Sequence, residues 1–172
     1  MTETESYLTH VISFREVGWG ILLIAVTMTI HAFGMLVTVA AGDALQRRHR
    51  TGQGFFANTH VLVVTSWIIV FVHLAEVAVW AGFFVWCDAM PSLSAAYYYA
   101  LFQYVTVGSE ATLPMHWRLL GGLIGMAGLL TFAWSTTVLL TIAQRFQDTQ
   151  RQWVAQWHRH DSDREPPPPA GA

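Results

Sequence analysis

Hydrophobic positions along this chain fall in three long runs, residues 17–41, 61–86 and 119–143, separated by short polar stretches. A helix rising 1.5 Å per residue needs about 20 mostly apolar residues to cross ~30 Å of hydrocarbon, so each run predicts a transmembrane helix. A fourth apolar stretch, 93–107, is too short to cross and leads into polar residues and Pro114. It predicts a re-entrant helix that enters and leaves the membrane on one side. After residue 143 the sequence RFQDTQRQWVAQWHRHDSDRE puts Phe146, Trp153 and Trp157 at helical spacing. That pattern predicts a short amphipathic extension, which either lies on the inner leaflet or bundles with copies of itself. The prolines at 166–169 predict an extended, disordered end.

Composition agrees with a membrane solvent. Of the 172 residues, 53% are hydrophobic and 12% charged, and the mean hydropathy is +0.39, outside the balance of a soluble domain. The apolar runs lie close together, which predicts one domain surrounded by membrane lipids. All positive charges are arginines, scattered over loops, and the net charge of -2 gives no basic face, which excludes nucleic acid as a partner. Arg47, Arg48 and Arg50 follow the first run, and Arg145, Arg151, Arg159 and Arg164 follow the last, while Arg15 and Arg118 stand on the other side. The positive-inside rule then puts the N-terminal segment (1–16) and the 86–118 loop outside and the tail (144–172) in the cytoplasm. Trp19, Trp80, Trp86, Trp117 and Tyr97, Tyr98 and Tyr99 fall near the predicted outer boundary, where amphipathic rings settle. The first sixteen residues lack the basic start of a cleaved signal, so the first span is expected to remain. Cys87 has no second cysteine to pair with and reads as a small apolar residue at a span end.

The outer loop reads SLSAAYYYALFQYVTVGSEATLP and is followed by HWRLLGGLIGMAGLLTFAWSTTVLLTIAQRF. Over residues 61–146 this order resembles the bacterial two-transmembrane potassium-channel pore family, with an outer helix, a short pore helix, a Thr-Val-Gly-Tyr-Gly filter and an inner helix. The resemblance implies an all-α membrane protein, a pore module over 61–143 with the first span added, a homotetramer in a bacterial inner membrane, and a permeant cation in place of any cofactor. The physics of the order is independent of the name: a helix ending inside the membrane aims its partly negative C-terminal end at the centre, and non-helical backbone at that depth offers carbonyls to an ion. Ser92 is a good N-cap, the short helix is expected over 93–105, and Thr106, Val107 and Gly108 match the start of the filter. Beyond Gly108 the chain has Ser109, Glu110 and Ala111 where the family has Tyr, Gly and Asp, so potassium selectivity does not carry over. Glu110 instead offers a ring of four carboxylates that concentrates cations at the mouth, or it is a solvated loop residue. Gly121, Gly125 and Gly128 allow either close helix packing or a bend in the inner helix. Trp134, Ser135, Thr136 and Thr137 correspond to a similar stretch in the family, with hydroxyls facing a cavity or bonded back to their own helix.

The second span carries His73 and Glu76, three residues apart and so on one face, and His31 lies inside the first span. A charge at bilayer depth costs at least about 2.5 kcal/mol, so these groups must face protein or water. Two readings stay open. One is a polar clasp between helices, with Glu76 protonated or bonded to His73 or to another helix. The other is a metal or proton site, since two imidazoles and a carboxylate are ligands of the required type. No metal is assigned from spacing alone. His158 and His160 read as solvated tail residues. Nothing resembles a catalytic triad, a phosphate loop or a dinucleotide fingerprint, so no enzymatic activity is expected. The sequence therefore supports a cation channel subunit, with a non-conducting subunit or scaffold that binds a partner, lipid or metal through its intramembrane His and Glu residues as the rival.

Overall fold

The computed structural model describes residues 14–48 and 55–162, with the side chains of 55, 57, 146 and 148–162 left aside. Among the described residues the chain forms helices and no strand: α1 (Phe14–Arg48), α2 (Phe55–Trp86), α3 (Leu93–Tyr104), a single 3-10 turn (Met115–Trp117) and α4 (Leu119–Ser162). Three of these, α1, α2 and α4, are long and apolar enough to cross a membrane.

Each long helix contains the predicted span and continues past it. With 35 residues, α1 reaches roughly 52 Å, more than the hydrocarbon needs, and it ends on Arg47 and Arg48 in its last turn, where basic groups suit the helix dipole. The backbone of α4 runs unbroken from the last apolar run into the tail as far as Ser162. The expected shared face of Phe146, Trp153 and Trp157, and the expected solvation of His158 and His160, lie outside the described side chains. The N-terminal segment before Phe14 and the prolines at 166–169 lie outside the described residues.

In lipid, close packing and interhelical polar contacts replace the hydrophobic drive between helices. Here α1 packs on α2 and α4, and α3 packs on α2 and α4. Their common core holds Trp80, Phe84, Tyr104, Leu120 and Ile124, all fully buried. Apolar side chains such as Phe33, Leu36, Trp67 and Phe71 point outward, as a lipid solvent permits.

The aromatic residues expected at one membrane boundary divide. Trp19 and Trp86 meet edge to face at 5.4 Å, Phe83 joins Trp19 at 5.3 Å and Trp117 at 5.5 Å, and the Arg15 guanidinium lies 5.1 Å from the Trp117 ring. Trp80 does not belong with them. It is fully buried, and its indole N–H donates to Thr27 Oγ1 on α1 at 3.0 Å, so it clamps two spans instead of anchoring at an interface. The expectation failed because Trp80 lies near two turns inside the α2 end, and a hydroxyl was present there to receive the indole proton.

The link from α2 to α3 is tight, with Asp88 in the left-handed region at φ 53. Ser92 then takes extended dihedrals and accepts from the Ala95 amide at 3.2 Å, capping α3. The helix ends at Tyr104, with Val105, expected inside it, serving as its C-cap.

Candidate functional site

Two features meet at the C-terminal end of α3. The first is the turn that follows it. The Thr106 amide donates to Gln103 O at 2.9 Å, while the amides of Val107 and Gly108 both donate to Phe102 O, at 3.0 and 3.1 Å. Gly108 has φ 79, which glycine adopts freely, but Thr106 has φ 61. A left-handed β-branched residue is uncommon and costs about 1–2 kcal/mol, so the surrounding contacts must hold it. Thr106 and Val107 are exposed in the single chain, Val107 by 70%, and Glu110 is exposed too. Ser109 donates to Ala111 O at 3.2 Å. The five residues expected to line an ion path thus form one continuous strip beside α3.

The end of α3 is seated on α4, which also touches Thr106. A Cβ on Gly128 would lie 2.0 Å from the Tyr104 carbonyl oxygen, and one on Gly125 would lie 3.2 Å from Gln103 O. A Cβ on Gly121 would come within 2.6 Å of the Tyr99 hydroxyl. The three glycines therefore share the face of α4 on which α3 is seated, and α4 stays helical through all of them.

The second feature is a buried polar cluster in which all four helices take part. His31 on α1 places Nδ1 2.8 Å from Glu76 Oε1 on α2, with both side chains fully buried. His73 on α2 places Nδ1 2.9 Å from the Tyr104 hydroxyl and Nε2 3.0 Å from Ser135 Oγ. Tyr104, the last residue of α3, donates to Glu76 Oε2 and lies 2.5 Å from Thr131 Oγ1 on α4. Ser135 also reaches His31 Nε2 at 3.4 Å. The imidazole rings of His31 and His73 sit 5.3 Å apart, flanked by Trp134 and Phe132. Buried ionisable groups demand partners at this depth, and each of these has one.

His31, His73 and Glu76, picked out in the sequence, are thus neighbours in space. Their ligand atoms lie within 4.8 Å of one another, a set able to hold a metal ion chemically, although each of those atoms already has a hydrogen-bond partner within the protein. Tyr104 and Thr131 were missed, and Ser135 was named only among the hydroxyls that face a cavity or bond back to their own helix. Thr131 and Ser135 stand four residues apart on the last span, which puts both hydroxyls on one face and was a legible signal. Thr136 and Thr137 do bond back to Phe132 O and Ala133 O; Ser135 goes across to His73. Glu16 was not singled out in the sequence. It is buried at the base of α1, and its Oε1 accepts from the Leu119 amide at 2.5 Å, placing a carboxylate at the N-terminus of α4.

The arrangement can do two things: hold the end of α3 at a defined position between the spans, and present a strip of irregular backbone on the side of α3 that this chain leaves uncovered. No family model, curated protein or solved structure matches the chain.

Proposed function

We propose that this protein is the subunit of a tetrameric cation channel of potassium-channel-like architecture, in which α2, α3 and α4 form the pore module and α1 is added outside it. One observation carries the reading: a helix of 12 residues, seated between two spans, ends in irregular backbone at Thr106–Val107 that a single chain leaves exposed. Irregular backbone at membrane depth is tolerated only where it is buried in protein or lines water. Further copies around an axis on that side supply both conditions, and α3 aims its C-terminal end toward that axis. Glu110 concentrates cations at the mouth, and Thr106 to Ser109 partly replace their water. The arginine distribution supports an outer mouth, a cytoplasmic tail and an inner-membrane location.

A second reading has its own support. The Val107 and Gly108 amides turn back onto Phe102 O, which closes the helix with a turn instead of continuing it as an extended filter strand, as suits a non-conducting subunit or scaffold. Flux of potassium, sodium and calcium through the purified protein in liposomes separates the two. A channel conducts at least one ion, and Glu110→Gln alters that flux more than Thr112→Ala does. No flux for any ion with insertion verified, or a monomer by mass in detergent, supports the scaffold.

A further inference from the structure

The buried cluster contains a closed cycle. Glu76 Oε1 meets His31 Nδ1 at 2.8 Å, His31 Nε2 meets Ser135 Oγ at 3.4 Å, and Ser135 Oγ meets His73 Nε2 at 3.0 Å. His73 Nδ1 then meets the Tyr104 hydroxyl at 2.9 Å, and that hydroxyl returns to Glu76 Oε2. The cycle has five links, and each link needs one proton and only one. An ionised Glu76 with two neutral imidazoles supplies four: one from each ring, one from the phenol and one from the serine. In that state two acceptors confront each other across one link, and a net negative charge is buried.

A fifth proton removes both defects. It gives either an imidazolium beside the carboxylate or a carboxylic acid donating to His31 with both rings neutral, and in both forms every link is made and the net charge is zero. The count does not depend on which tautomer each histidine adopts. No other charged side chain among the described residues compensates the carboxylate. On α1 the flanking charges are Glu16 and Asp43, and on either side of the α4 cycle residue they are Arg118, just before the helix, and Arg145. Each lies ten or more positions from the cycle residue of that helix, roughly 15 Å or more along the axis. On α2 the next titratable group is His60, at a similar remove, and on α3 there are only Tyr97, Tyr98 and Tyr99, of which Tyr97 donates to Leu74 O and Tyr99 points at Gly121.

We propose that His31, Ser135, His73, Tyr104 and Glu76 form a binding site for a single proton, and that the bound proton fixes the C-terminal end of α3 through Tyr104. His73 is the entry point, because it is the most exposed member of the cycle at 9%, while His31 and Glu76 are fully sealed. The site stands independently of the channel. Its consequence for ion flow rests on that reading: the residue that closes the cycle is followed directly by Val105 and Thr106, so filling the site steadies the strip at the mouth of the pore.

The test avoids flux, so that failure of the site and failure of the channel stay distinct. Full-length protein with 15N-labelled imidazoles, in lipid nanodiscs, is titrated between about pH 5 and pH 9, following the assigned His31 and His73 signals and the protonated-carboxyl band of Glu76. One shared step is expected, amounting to one proton over the three groups, and backbone amide exchange at residues 105–108 should quicken once the proton leaves. Glu76→Gln replaces the extra proton with an amide N–H directed at His31 while its carbonyl accepts from Tyr104, so this variant should fold, lack the step and keep exchange slow throughout. Three results would overturn the proposal: both rings neutral with Glu76 ionised across the range, independent one-proton steps at each histidine, or a step that survives Glu76→Gln. Stoichiometric zinc uptake with no proton step would overturn it as well, in favour of a metal site.

Discussion

Replacing Gly128 by alanine places a Cβ 2.0 Å from the Tyr104 carbonyl oxygen and 3.0 Å from its carbonyl carbon. Ordinary contact begins near 3.4 Å, so the end of α3 must withdraw by about 1.4 Å, and the obstacle is backbone that cannot rotate aside. Overpacking of this kind costs about 1–3 kcal/mol. The same shift lengthens the hydrogen bonds of Tyr104 to Glu76, His73 and Thr131, which weaken steeply past their usual range. Alanine also gains helix propensity over glycine, by roughly 1 kcal/mol, which would mask part of the loss. Gly122 provides the control: it lies in the same helix, and a Cβ there meets nothing within 4 Å. Propensity cancels between the two variants, and the difference is the steric term alone. At about 2–4 °C per kcal/mol for a chain of this size, Gly128→Ala should melt roughly 2–12 °C below Gly122→Ala in thermal unfolding in detergent. Equal midpoints would refute the seating of α3 on the glycine face of α4.

Three further expectations concern single side chains. Glu16→Gln keeps an acceptor for the Leu119 amide and loses only charge at the start of α4, about 0.3–1 kcal/mol; Glu16→Ala removes the acceptor and should cost about 1–3 kcal/mol, and a reversed order of melting points would count against the cap. Trp80→Phe deletes the indole proton given to Thr27 and leaves a small void, which together should cost about 1–3 kcal/mol; an unchanged midpoint would show that the clamp between α1 and α2 contributes nothing. Burial pushes the Cys87 thiol up from its ordinary range, so the folded protein holds it protonated to higher pH and maleimide should label it more slowly than the unfolded chain at the same pH. Identical rate profiles for folded and unfolded protein would contradict that burial.

The membrane class, the three spans and the short fourth helix were legible because they depend on the local run of apolar residues and on capping. Ser92 after Pro91 announces the start of α3 whatever surrounds it. The pairing of His73 with Glu76 on one face was legible for the same reason, since three residues of helix fix their relative direction. Partners supplied by other helices were not. Trp80 looked like an interfacial anchor until Thr27 of α1 stood opposite its indole, and nothing in the sequence marked Glu16 until the first amide of α4 came to rest against it. Ser135 could have bonded to its own helix, as Thr136 and Thr137 do, and only the approach of α2 gave it His73 instead. Tyr104 ends a helix in sequence, while in the fold it joins α2 to α4. By itself, then, the sequence determined what must be solvated by lipid and which groups could not stay alone there, because transfer energy and helical spacing act within one segment. Tertiary structure decided which groups satisfy one another, because a buried polar atom accepts any donor of suitable geometry and only the packing of the helices selects among them.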